Sequence, residues 1–217
     1  MPDVIIFDLD GTLLSGDSMK EWITEQLKSH PVRFLCALAS MPVASTLMKF
    51  KKTKEIGISI FLWIATYGLS KDQLQEKFRT FAIRIKNNSI PHLTWFQDGL
   101  FEIKSHLNQE RRVILTTGTP ELLAKELLSS MDLDIEAVGT TLKNRNHGWI
   151  SESHCVNEEK VRRLKKLNIH NWLATYSDDI KQDYPILMNG KYAYIINDKR
   201  SKKISYKLQN LQFLEWN

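Results

Sequence analysis

An uncharged run, Val4-Ile5-Ile6-Phe7, passes directly into Asp8-Leu9-Asp10-Gly11-Thr12. A short apolar run ended by an Asp-Gly pair reads as a buried strand stopped by a turn. The first element of this chain therefore delivers two carboxylates to a strand end. Any fold must then find a use for them or a way to solvate them.

Similar units recur. Val113-Ile114-Leu115-Thr116-Thr117-Gly118 is followed by Thr119 as an N-cap candidate, Pro120 at a first helical position and Leu123, Leu127 and Leu128 at helical spacing. Trp172-Leu173-Ala174-Thr175-Tyr176 runs into Ser177-Asp178-Asp179, and Tyr192-Ala193-Tyr194-Ile195-Ile196 follows one helical segment later. Strands alternating with helices predict an α/β fold with a doubly wound, Rossmann-like parallel sheet. Ligands of such sheets bind beyond the carboxyl ends of the strands. Those ends carry Asp8, Asp10, Thr117, Asp178 and Asp179, which are predicted to converge.

From about 15 to 95 the pattern is helical, with Leu74, Phe78, Phe81 and Ile85 on one face. This stretch is predicted to be an inserted helical cap, and 1–14 with 96–217 the core. Asp98-Gly99 reads as the turn re-entering the core, ahead of a helix with Leu100, Ile103 and Leu107 as its apolar stripe. Asn146-His147-Gly148 reads as a hairpin tip.

A length of 217 residues suits one core with a smaller insertion. Apolar content of 42% and charged content of 25% exclude disordered and fibrous classes. The net charge of +5 favours anionic partners: phosphate esters, nucleic acid or an anionic membrane face. Cys36 and Cys155 have no metal-ligand spacing, and no basic-apolar leader precedes Val4, so a cytoplasmic chain with reduced thiols is expected. The histidines show no metal-binding spacing; His154, near Lys160, is the one to watch. Trp63 and Trp95 are expected to pack rather than to stack on bases, and nothing points to a protein partner.

A carboxylate attacks a phosphate ester only if anionic repulsion is screened and the leaving alkoxide receives a proton. Asp8 as nucleophile and Asp10 as acid/base would supply two of those parts. Residues two apart in an extended segment point to the same side. A divalent cation with hard oxygen ligands, Mg²⁺, would screen the charge, held by Asp8, the backbone carbonyl of Asp10, and Asp178. Crowding of the carboxylates is expected to help keep Asp10 protonated.

The segment from Phe7 to Leu14 resembles the first motif of the haloacid dehalogenase superfamily of phosphohydrolases. Further motifs are similar in order. Thr117 resembles the phosphate-binding Ser/Thr, with Thr116 as the alternative. Lys160 resembles the family lysine, although Arg162, Arg163, Lys165 and Lys166 around it also fit a solvated face. Ser177-Asp178-Asp179 through Asp183 resembles the acidic metal motif. The resemblance implies an aspartyl-phosphate on Asp8 and a phosphate held by Thr117, Gly118 and Lys160. It also implies metal ligation through Asp8, Asp10, Asp178 and Asp179, with Asp183 orienting that shell. Asp178 is preferred over Asp179 as first ligand. An acid at position 10 favours phosphatase over dehalogenase chemistry, and the helical insertion resembles the cap shared with phosphoserine phosphatase.

Two stretches of the cap, 34–48 and 56–70, contain no charged residue, and Lys49, Lys51, Lys52 and Lys54 lie between them. At 15 residues each they fall short of the ~20 needed to span a bilayer, and Pro42 interrupts the first. They read either as buried cap helices or as an interfacial hairpin with lysines near anionic lipid. Ile58-Ser59-Ile60-Phe61-Leu62-Trp63, Leu115 to Pro120 and Tyr176-Ser177-Asp178 are similar to the bacterial phosphatidylglycerophosphatase C family. This implies a lipid phosphate as substrate and association with the inner face of the cell membrane. The competing readings are a soluble phosphatase for a small metabolite and a catalytically inactive basic protein engaging nucleic acid through 49–54.

Overall fold

The computed structural model describes residues 3–50, 53–197, 208 and 210–217. Lys51 and Lys52 lie outside the described residues.

Seven strands form one sheet in the order β4-β3-β2-β1-β5-β6-β7. They are β1 (Val4–Phe7), β2 (Arg112–Pro120), β3 (Glu136–Arg145), β4 (Gly148–Ser153), β5 (Trp172–Ser177), β6 (Gly190–Ile196) and β7 (Leu211–Leu214). Every pairing is parallel except the β3–β4 hairpin. The hairpin turns at Asn146 and His147, both at positive φ, ahead of Gly148, as expected from their sequence.

Helices cover both faces of the sheet. They are α5 (Gln97–Asn108), α6 (Glu121–Ser130), α7 (Glu158–Lys166) and α8 (Ile180–Met188). Strand periodicity explains how β1 serves both sides. Ile5 and Phe7 are buried with Leu100 and Ile103 of α5, whereas Ile6 is buried with Val161, Leu164 and Ile186 of α7 and α8. The fold is thus the α/β, doubly wound sheet that the alternation predicted.

Between β1 and α5 the chain forms α1 (Ser18–Lys28), α2 (Pro31–Met48), α3 (Lys54–Thr66) and α4 (Lys71–Lys86). Asp17 caps α1, and Ser70 with Gln73 forms a capping box on α4. Leu74, Phe78, Phe81 and Ile85 are all buried. These helices also meet the sheet's hairpin, where the Trp63 indole donates to the Arg145 carbonyl oxygen at 2.9 Å. Trp95 is buried, and Trp63 is partly buried with its ring 4.9 Å from that of Tyr67, so both tryptophans pack.

Three local expectations need correction. Asp98 and Gly99 belong to the first turn of α5 rather than to a turn. A Cβ on Gly99 would lie 2.9 Å from both Leu13 and Trp216, so this glycine permits close packing, not a bend. Leu107 is partly exposed, outside the stripe of Leu100 and Ile103. Finally, β2 continues past Gly118 through a register shift and pairs Pro120 with Thr140, so α6 begins at Glu121 rather than at Pro120.

Candidate active site

The β1, β2 and β5 ends open onto a cavity of about 890 Å³. Asp8, Asp10, Gly11, Thr117, Gly118, Asp178 and Asp179 line its floor. Sequence-distant strand ends therefore converge as the topology requires.

Lys160 is the centre of charge beneath that floor. It projects from the first turn of α7 with no solvent exposure, beside Val161 and Leu164, while Arg162, Lys165 and Lys166 face solvent. Its Nζ donates to Asp8 Oδ1 at 2.6 Å and to Asp183 Oδ2 at 3.0 Å, and lies 2.8 Å from Asp183 Oδ1. Burial opposes charge on Lys160, yet Asp183 and Asp8 together outweigh it and lift its pKa above the ordinary value. Asp183 also accepts from Ser177 Oγ at 2.8 Å.

Asp8 is held well above the usual carboxylate range, first by burial. Lys160 opposes this, while Asp183 and Asp178 add to it. Asp178 is pushed up to about 6 by burial and then by Asp183 and Asp179. Its carboxylate lies over Gly11, where a Cβ would stand 2.2 Å from Asp178 Oδ2. With φ of +82°, Gly11 is fitted to its position twice, by conformation and by space.

Asp10 occupies a separate nest. Oδ1 accepts from the Ser18 backbone N–H at 2.7 Å, and Oδ2 from Thr119 Oγ1 at 2.6 Å. Burial and then Asp17 push its pKa up to about 6. Carboxylate crowding does contribute, through Asp17, but desolvation is the larger cause.

Thr117 lines the cavity and its Oγ1 accepts from the Thr119 N–H at 3.0 Å. Thr116 Oγ1 is buried away from the cavity and unpartnered. Gly118 lies beside Thr117, with Val156 Cγ1 only 3.1 Å from where its Cβ would be.

The carboxylates of the aspartates expected to ligate one metal, and of Asp183 expected behind them, do not close on a single point. Among the described residues no three acidic, His or Cys side chains already close on a common point. Asp183 faces Lys160 and Ser177, the Asp10 carboxylate faces Ser18 and Thr119, and Asp179 Oδ1 caps α8 through the N–H groups of Lys181 and Gln182. Asp8 and Asp178 both line the cavity; burial is the first cause that raises the proton affinity of each, and the negative charge of Asp183 adds to both. Lys160 answers only part of that negative charge. An all-oxygen donor set with surplus negative charge fits a hard divalent cation.

Sequence reasoning assigns no role to Ser18, reads Thr119 only as a helix cap, and carries Thr12 and Ser177 only as members of motifs without a role of their own. Thr12 Oγ1 donates to Asp178 Oδ1 in a long contact of 3.4 Å. The Thr116-Thr117-Gly118-Thr119 run hinted at several hydroxyls, but only the bulged end of β2 reveals which of them reaches Asp10.

The haloacid dehalogenase-like hydrolase family model matches residues 5–188, a span that includes every residue of this constellation. The chain belongs to that family. It is accordingly a hydrolase, with the parallel-sheet fold of its class. Among solved structures it is similar to a protein of unknown function from Bordetella pertussis Tohama I, at 18% identity over 94% of each chain with a TM-score of 0.67. A phosphoserine phosphatase solved as a phospho-aspartyl intermediate analogue is similar at 14% identity over 90% of this chain and 86% of its own, TM-score 0.56. A predicted phosphatase from Clostridium acetobutylicum is similar at 18% identity over 98% and 94%, TM-score 0.55. At these identities the likeness establishes the fold.

Proposed function

We propose that this hydrolase is a phosphomonoester phosphatase in which Asp8 attacks phosphorus and is transiently phosphorylated. The observation that carries this is the buried Lys160 ammonium held between Asp8 and Asp183 at the end of β1. It fixes the Asp8 carboxylate and keeps positive charge where a phosphoryl group would arrive.

Asp10 is suited to give a proton to the leaving alkoxide and later take one from water. Its pKa of about 6 keeps both protonation states accessible near neutral pH. Ser18 N–H and Thr119 Oγ1 orient it. Thr117 Oγ1 and the Gly118 backbone supply phosphate contacts at the cavity floor. Mg²⁺ fits the surplus charge, with Asp8, Asp178 and the Asp10 backbone as its holders, Asp179 at the rim and Asp183 behind through Lys160. When bound, it would screen the carboxylates and phosphoryl oxygens from one another.

On this reading residues 15–95 act as the cap, and the cap selects the substrate. The outer cavity wall is built from Ile23 and Leu27 of α1, Met41 and Met48 of α2, and Ile58 and Phe61 of α3. Such a wall favours a phosphate carried on an apolar tail, a lipid phosphate of the phosphatidylglycerophosphate kind, processed at a membrane surface. A second reading, a soluble small-metabolite phosphate, draws on Lys20, Lys54 and Gln182, which line the same cavity.

A phosphate-release screen with Mg²⁺ tests the assignment, comparing phosphatidylglycerophosphate with soluble phosphomonoesters for wild type and Asp8→Asn. The expected result is release by wild type, fastest on the lipid, and none by the variant. Full turnover by Asp8→Asn would overturn the nucleophile, and a clear preference for soluble esters would overturn the lipid substrate.

A further inference from the structure

The outward side of α2 combines the composition of a protein core with the exposure of a free surface. Ala37 and Ala44 are its only buried residues, on the side that meets α3. There the helices approach closely, since a Cβ on Gly57 would lie 2.7 Å from the Ala44 carbonyl oxygen. On the other side Val32, Leu35, Leu38 and Val43 are open to solvent, with Leu35 63% and Val43 60% exposed. An ordinary solvated helix carries charges on that side, whereas α2 has none from 34 to 48. From Val32 to Val43 these residues extend over roughly 17 Å at the helical rise of ~1.5 Å per residue, and an exposed apolar face of this kind marks a contact surface.

Charge identifies what covers it. From 26 to 54 the sequence has no acidic residue, while Lys28 and Arg33 stand at one end of α2 and Lys49, Lys51, Lys52 and Lys54 follow the other. A second copy docked about a two-fold axis would bring cations against cations whichever way the helices ran. Anionic headgroups would meet them favourably. Spanning does not fit. At 18 residues with a mean hydropathy of 1.4, α2 has the length and composition to cross a bilayer, but it contains Pro42 and spends its inner stripe on α3.

We infer that the outer face of α2 is a monotopic docking surface for an anionic lipid bilayer, lying in the headgroup boundary rather than crossing it. Met41 makes the link to the active site. It is half exposed on α2 and also lines the cavity that leads to Asp8. Docking through α2 therefore places one wall of that cavity beside the bilayer. What enters there rests on the phosphatase reading; the docking itself does not.

The test uses the full chain and vesicles of mixed phosphatidylcholine and phosphatidylglycerol, with phosphatidylcholine alone as the neutral control. Leu35→Glu combined with Val43→Glu changes the outer face and touches no cavity residue. An environment-sensitive fluorophore on exposed Cys36 reports immersion, because Cys155 is buried. The expected result is sedimentation with anionic vesicles, a blue shift of the Cys36 label, and at least about tenfold weaker binding for the double variant or at high salt. Turnover of a soluble aryl phosphate should be unchanged in the double variant. Wild type left in the supernatant, equal binding to neutral vesicles, or a dimer that the double variant dissolves would each overturn the inference. Vesicle binding that persists while Asp8→Asn retains turnover would sink the phosphatase reading and leave the docking intact.

Discussion

Lys160 has no contact with solvent and pairs with two carboxylates, so its removal strands buried negative charge. Breaking such a pair from one side costs about 3–5 kcal/mol. Lys160→Ala should lose roughly that much in urea unfolding at neutral pH; a loss below about 1 kcal/mol, the level of a surface pair, would mean that the pairing is not formed in solution. Asp178 makes the opposite case, because it adds repulsion to Asp8 and Asp183. Mg²⁺ at a hundredfold excess over its Kd should stabilise the wild type by about 2.7 kcal/mol, read as a rise in Tm. Asp178→Asn should keep or raise the metal-free Tm and lose that Mg²⁺-dependent rise. A Mg²⁺ increment surviving in this variant would remove Asp178 from the ligand set. At this scale the sequence was informative about acids and uninformative about their partners. Asp8 and Asp10 stood out beside one strand, whereas Thr119 joins Asp10 across 109 positions and only the fold brings them together.

Element pairing depends on a buried polar network between α5 and β5. Tyr176 donates to Glu102 at 2.8 Å, and the His106 ring nitrogens meet the Tyr176 hydroxyl and Arg111 at 3.1 and 2.9 Å. Burial, with a smaller contribution from Arg111, holds His106 below its ordinary value of 6.5 against the pull of Glu102. Between 6.5 and that lower folded value, the unfolded chain binds a proton that the native state refuses. Stability from this group is therefore complete above 6.5 and is lost as pH falls through the window. His106→Gln should flatten that part of the stability–pH curve, measured by urea unfolding from neutral to mildly acid pH; an unchanged slope would contradict it. The strands were legible because each is a short apolar run with a turn signal behind it. The start of α5 was not, because Asp98-Gly99 has turn chemistry, and its real constraint is Trp216, more than a hundred residues away.

For the whole molecule, the sheet order places the ends of β1, β2 and β5 side by side, and α1–α3 wall the cavity above them. The alternation of strands and helices made the sheet legible before any coordinates. The segment between β1 and α5 was legible as helical, but not which of its apolar residues would be buried. Uncharged stretches of equal length behave differently: α3 buries Leu62, Ile64 and Ala65, while α2 leaves most of its outer face open. Burial of that kind depends on which helix reaches the core, and local composition does not encode it.

The central claim is phosphorylation of Asp8, and borohydride trapping during turnover tests it most directly. Reduction of an aspartyl-phosphate leaves homoserine, which peptide mass spectrometry locates. The modification should appear at position 8 only when Mg²⁺ and a phosphomonoester are both present. An unmodified Asp8 in an enzyme that is turning over, or homoserine at position 10 instead, would contradict the account.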